Sequence, residues 1–156
     1  MMDPRIDRAL AGIHAGLRTP LSVPALARAA NLSESRFAHL FRREVGTSPA
    51  RYIHALRMLR ARVLIERTSL SIKEVMAQVG CHDPSHFTRD FRDFHGLAPR
   101  DWRRAAAQAG RPADAADAFD SASVTRIADL ANKQRKRPTK PVPRARAPDL
   151  ALHSAG

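Results

Sequence analysis

A chain of 156 residues holds one ordinary domain or two very small ones, with material for a modest core, which excludes a large multidomain enzyme. Its 27 basic against 15 acidic residues leave a net charge of +12 at neutral pH. Such a surplus strains a compact fold unless it serves a polyanion, with nucleic acid the leading candidate and an anionic membrane surface second. The single cysteine, Cys81, excludes an intramolecular disulfide and a multi-cysteine metal site and fits a reducing cytosol.

The N-terminal stretch MMDPRIDRALAGIHAGL has acidic residues and a charge every few positions, unlike a signal peptide. No apolar run approaches the roughly 18 residues that a membrane-spanning helix needs, so the expectation is a cytoplasmic protein. From residue 5 to about 106 apolar residues recur at spacings of three and four, broken by short Ser, Pro and Gly signals, and no segment alternates with period two. This predicts an all-α unit over residues 1 to 106, with seven helices near 5 to 16, 23 to 30, 34 to 45, 49 to 67, 72 to 79, 84 to 95 and 99 to 106. Start signals punctuate it. Ser48 precedes Pro49, Ser71 and Glu74 have the spacing of a capping box, and Asp83 precedes Pro84.

Beyond residue 106 the chain is rich in Ala, Pro and charge and poor in aromatics, a composition that cannot offset its ordering entropy. Residues 107 to 156 therefore read as a disordered basic tail. Residues 1 to 106 carry 18 basic and 10 acidic side chains and residues 107 to 156 carry 9 and 5, so both parts are basic but only the first has a core. Val124, Ile127, Leu130 and Ala131 could line one side of a short helix after Ser121 or Ser123, read here as transient because short isolated helices are unstable.

The helical part is internally duplicated. An offset of 50 pairs Phe37 with Phe87, Phe41 with Phe91, Arg42 with Arg92, Gly46 with Gly96, Pro49 with Pro99 and Tyr52 with Trp102. Upstream the offset falls to 49 and pairs Leu26 with Val75, Asn31 with Gly80 and Leu32 with Cys81. Each copy reads as a short helix, a tight turn and a second helix carrying arginines, the outline of a helix-turn-helix. On the second helix of the first copy, Phe37, Leu40 and Phe41 share one face and leave Ser35, His39 and Arg42 opposite. In the second copy Phe87, Phe91 and Phe94 face inward, which sends Ser85, Arg89 and Arg92 outward with Thr88 at the edge. Hydroxyl, imidazole and guanidinium groups on a helix can read the major groove, where Arg pairs with guanine through two hydrogen bonds. The connector SPARYIHALRMLRARVLIERT predicts a rod of about 27 Å. Such a rod can hold two recognition helices over successive major-groove segments, whose repeat is about 34 Å. Tyr52, Leu56, Leu59 and Val63 are expected along its contact side.

The runs LARAANLSESRFAHLFRREVGTSPARYIHALRMLRARVLI and SIKEVMAQVGCHDPSHFTRDFRDFHGLAPRDWRR resemble the two halves of the DNA-binding unit of the AraC/XylS family of bacterial transcription regulators. The resemblance spans residues 5 to about 104. It implies seven helices in two helix-turn-helix modules, sequence-specific binding of double-stranded DNA, and control of promoters, commonly activation through RNA polymerase. Matching positions assign Ser35, Arg36, Ala38 and His39 to the first recognition helix and Ser85, Thr88 and Arg89 to the second. With few residues before the unit, the chain resembles small members that act as a DNA-binding unit alone, and the duplicated module on its rod predicts binding as a monomer. Three positions depart from the family pattern: Met76 for a small Ala, Cys81 for Phe, and Ala98 for a Ser or Thr cap. Met76 is expected to fill space vacated at Cys81, and the helix after Ala98 to fray.

An enzyme would need converging catalytic groups, and the candidates are Cys81, His82, Asp83 and His86. The helix start at Asp83 and Pro84 breaks the spacing of the two histidines, so no catalytic, metal or cofactor site is expected. The competing reading is a non-specific nucleic-acid-binding protein dominated by its basic surface and by the tail segment KQRKRPTKPVPRARAP.

Overall fold

The computed structural model describes residues 1–110 and 121–133. Its helices are α1 (Pro4–Ala15), α2 (Val23–Ala29), α3 (Glu34–Val45), α4 (Pro49–Arg67), α5 (Ile72–Gln78), α6 (Pro84–His95), α7 (Pro99–Ala109) and α8 (Ser121–Lys133), and the described residues include no strand. The first seven fall where the periodicity predicts them.

Local chemistry sets most of the boundaries. Ser71 Oγ accepts from the Glu74 N–H while Glu74 Oε2 accepts from the Ser71 N–H, closing the expected capping box on α5. Asp83 Oδ1 accepts from the His86 N–H at 2.9 Å and starts α6 between His82 and His86, as their sequence context requires. Gly46 and Gly96 end α3 and α6 at φ of 90° and 92°, a left-handed conformation that suits a residue without a β-carbon. Within each module the turn after the first helix also needs positive φ, met by Asn31 at 53° and Gly80 at 72°. At Gly80 there is a second constraint, since a β-carbon would overlap the Leu17 carbonyl oxygen.

Ser48 occupies the N-cap position of α4, yet its side chain makes no capping bond. Ala98 at the start of α7 therefore lacks nothing that its counterpart supplies. Further along, α7 is anchored by side chains: the Trp102 indole donates to Glu66 Oε1 at 3.0 Å, and the Arg103 guanidinium donates to the Leu70 carbonyl. The helix runs on to Ala109.

Two hydrophobic clusters lie along α4. The first gathers Ile6, Leu10 and Ile13 of α1 with Phe37, Phe41 and Val45 of α3 and with Tyr52, Ile53 and Leu56. The second gathers Val75, Met76, Val79, Phe87 and Phe91 with Met58, Ala61 and Ile65. This corrects the expected single contact side of the rod. Leu59 and Val63 are only half-buried, whereas Ile53, Ala55, Met58, Ala61 and Ile65 are buried, because neighbours on several sides, α3, α5, α6, α7 and α8, pack on one rod. Phe94, expected inward with Phe87 and Phe91, is half-buried and touches both clusters.

The second correction concerns the tail. Residues 121 to 133 form a helix that packs on α4 and α3, with Val124, Ile127, Ala128 and Ala131 at most 6% exposed. Alone it would be transient. Docked, it buries an apolar stripe of small and branched side chains, and each large one contributes about 1.5–3 kcal/mol. The rest of the expected disordered tail, 111–120 and 134–156, lies outside the described residues.

Candidate nucleic-acid interface

Each module offers one helix whose inner face is pinned and whose outer face is open. On α3, Ser33 Oγ accepts from the Arg36 N–H, and Phe37 and Phe41, both fully buried, fix the helix's rotation about its axis. That rotation exposes Ser35, Arg36, His39 and Arg42 and leaves Ala38 half-buried at the edge. On α6, Phe87 and Phe91 do the same and expose Ser85, Thr88, Arg89 and Arg92. All nine predicted contact positions thus lie on these two helices. His95, the last residue of α6, ties the helix to α4, its ring centroid 4.4 Å from that of Phe91 and its Nε2 donating to the Met58 carbonyl at 2.9 Å.

Arg89 is more than half exposed and lies 3.8 Å from Asp90, which is itself 4.0 Å from His54 of α4. A pair this exposed is worth little in water, so the guanidinium remains available to an external acceptor. Burial holds the His54 imidazole below its ordinary pKa even against the attraction of Asp90.

Around the remaining candidates the chemistry is quiet. Burial raises the Cys81 pKa, which disfavours the thiolate a nucleophile would need. The backbone N–H of His86 holds the Asp83 carboxyl below its usual range, as suits a helix cap. Among the described residues no cluster of three or more His, Cys, Asp or Glu could hold a metal ion, and no helix is long and apolar enough to cross a membrane. Cys81 packs against the second cluster beside Met76. Met76 is buried in that cluster, and a groove of about 690 Å³ on the surface beside it is lined by both residues and by Pro84 and Pro99.

Sequence reading passed over a second polar feature. Arg42, Gly46, Thr47, Ser48, Arg51 and Asn132 line a cleft of about 260 Å³ where α3, α4 and α8 meet. The available signal was a broken match in the duplication, since Arg51 falls opposite Asp101 and Thr47 opposite Leu97 at the offset of 50.

The sequence profile of a family described as "Helix-turn-helix domain" matches residues 26–105. The HTH-type transcriptional regulator GbdR of Pseudomonas aeruginosa is 36% identical over 101 residues, covering 65% of this chain and 28% of the regulator. The chain thus spans between about a quarter and a third of the length of the curated relatives it matches. Among solved structures, an AraC-type DNA-binding domain protein of Chromobacterium violaceum superposes with a TM-score of 0.61 at 32% identity, covering 69% of this chain and 96% of that one. The DNA-binding domain of AdpA, solved in complex with a target DNA, gives a TM-score of 0.64 at 28% identity, covering 72% of this chain and all of that domain. With two helix-turn-helix modules on a shared rod and a family match over more than half its length, the chain belongs to the AraC-type helix-turn-helix family.

Proposed function

We propose that residues 1 to 106 are a DNA-binding unit that recognises double-stranded DNA sequence-specifically as a monomer. In this reading α3 and α6 enter adjacent major-groove segments, and the protein regulates transcription in the cytoplasm, as an activator working through RNA polymerase, with no catalytic step of its own. The observation that carries it is the matched pair of outward faces, Ser35, Arg36, His39 and Arg42 on α3 and Ser85, Thr88, Arg89 and Arg92 on α6, each set by two buried phenylalanines. The net charge of +12 supplies affinity for phosphate, and the exposed donors of the two helices supply discrimination among bases. The basic residues after Lys133 add affinity without changing the preferred sequence.

Arg89 provides the test. A site is selected from random duplexes with the full chain, and Arg89→Ala is measured against each single-base variant of it. The expected loss on the selected site is about 1–3 kcal/mol, with preference relaxed at one base pair where guanine had been favoured. Arg92→Ala is expected to weaken selected and random duplexes alike. Uniform weakening by Arg89→Ala would sink the base-reading role, and a wild-type chain with no preferred site would establish the non-specific reading instead.

A further inference from the structure

The cleft between α3, α4 and α8 is built from donors with too few acceptors. It lies at the N-terminus of the 19-residue α4, where Pro49 takes the first helical position and the N–H groups of Ala50 and Arg51 have no acceptor within the helix. At other helix starts a side chain answers this need, as Ser22, Ser33, Ser71 and Asp83 do, but Ser48 makes no such bond. Beside it Thr47 is 2% exposed, and its Oγ1 is buried without a hydrogen-bond partner. A buried hydroxyl left in that condition is costly unless a partner completes it. Arg42 and Arg51 flank the cleft, and neither forms an ion pair among the described residues. From α8, Asn132 closes the wall, its Nδ2 donating to the Gly46 carbonyl at 3.0 Å.

Two guanidinium groups, two free amides at the positive end of a long helix, and two hydroxyls make a site for a tetrahedral oxyanion. Arg42 lies on the exposed face of α3, so an anion held here sits at the rim of whatever groove α3 enters. We infer that the cleft grips one phosphate of the DNA backbone beside the first recognition helix, and that α8 forms part of the DNA-binding surface. This rests on the DNA-binding reading above and adds an asymmetry to it. The second module has no counterpart. Leu97, Ala98 and Asp101 stand where Thr47, Ser48 and Arg51 stand in the first, and Asp101 brings a negative charge that lies 3.9 Å from Arg104.

The experiment measures binding of the full chain and of Arg51→Ala, Asn132→Ala and Thr47→Val to selected and random duplexes across a salt series. A second arm places a neutral methylphosphonate at single backbone positions, and a third titrates isotope-labelled protein with inorganic phosphate. Arg51→Ala is expected to weaken both kinds of duplex by the same factor, about threefold to tenfold, and to reduce the log–log salt slope by about 0.9. Asn132→Ala is expected to weaken both by about twofold to fivefold with melting temperature unchanged. One methylphosphonate position should weaken the wild type and have no further effect on Arg51→Ala. Unchanged affinity and slope in Arg51→Ala and Asn132→Ala would overturn the inference. So would inorganic phosphate that shifts the Ala50 and Arg51 amides while duplex affinity ignores every cleft substitution, an outcome assigning the cleft to a free anion. If the wild type shows no preferred site yet Arg51→Ala still lowers the slope, the specific-recognition reading fails and the cleft stands.

Discussion

The first module buries Phe37 and Phe41 in a cluster of nineteen described residues drawn from α1, α2, α3, α4 and α8, whereas the second buries Phe87 and Phe91 in a cluster of eight. Sequence matching at an offset of 50 treats the two as equivalents. Their surroundings differ: α1 and α8 brace the first, while the second relies on α4 and α7 and keeps an open groove beside Cys81. The lesson is that a duplicated helix-turn-helix inherits its exposed face from local periodicity but its stability from whatever packs behind it. The first module is thus the more heavily supported half.

Substitutions in each half test this contrast. The largest effect is expected from Phe91→Ala, which costs about 3–5 kcal/mol. In so small a cluster it should unfold the second module while leaving the first intact, seen as loss of amide dispersion confined to residues after about 68. Equal loss in both halves would show a single cooperative unit. Next comes Ile127→Ala on α8, expected to cost about 2–4 kcal/mol in a urea melt of the full chain. An unchanged midpoint would return α8 to the status of a transient helix.

A smaller effect follows from pH. His14 Nε2 lies 2.8 Å from the Tyr52 hydroxyl, and burial, helped by the charge of Arg60, lowers its pKa to about 4. Between that value and the unfolded value near 6.5 the unfolded chain binds more protons than the folded one, so stability falls as pH drops through this window. His54 and His95, also lowered by burial, act in the same direction. The half-exposed His14 ring contributes on the order of 1 kcal/mol between pH 7 and 5 after solvent screening, and His14→Gln should remove that much of the fall in unfolding free energy over the same range in urea melts. The smallest effect separates two serines at helix starts. Ser71→Ala should cost about 1 kcal/mol and Ser48→Ala almost nothing, since only the first makes a capping bond.

Much of the fold could be read from residues alone because its signals are local. Ser71 with Glu74, Asp83 with Pro84, and the phenylalanine spacings on α3 and α6 act within one or two turns and predict boundaries and faces. The docking of α8 was hidden because Val124, Ile127, Ala128 and Ala131 make a stripe too small to stand alone, and its value depends on a vacant side of α4 some 70 positions earlier in the chain. A gap of 86 positions separates Asn132 from Gly46 and conceals the cleft. Ser48 misled for the opposite reason: the residue type and the proline after it fit a cap, while its hydroxyl is turned to no backbone donor.

The contact of Gly80 with Leu17 bears on information as well as on stability. The backbone of the loop between α1 and α2 rests directly against the turn of the second module, with no side chain between them to act as a cushion. For a protein that reads DNA with both modules, the number of base pairs separating its two half-sites then becomes part of the message. One added pair rotates the second half-site by about a tenth of a turn, a displacement that this direct backbone contact opposes. If both modules read DNA as proposed, the bases between the half-sites are free to vary while their number is not.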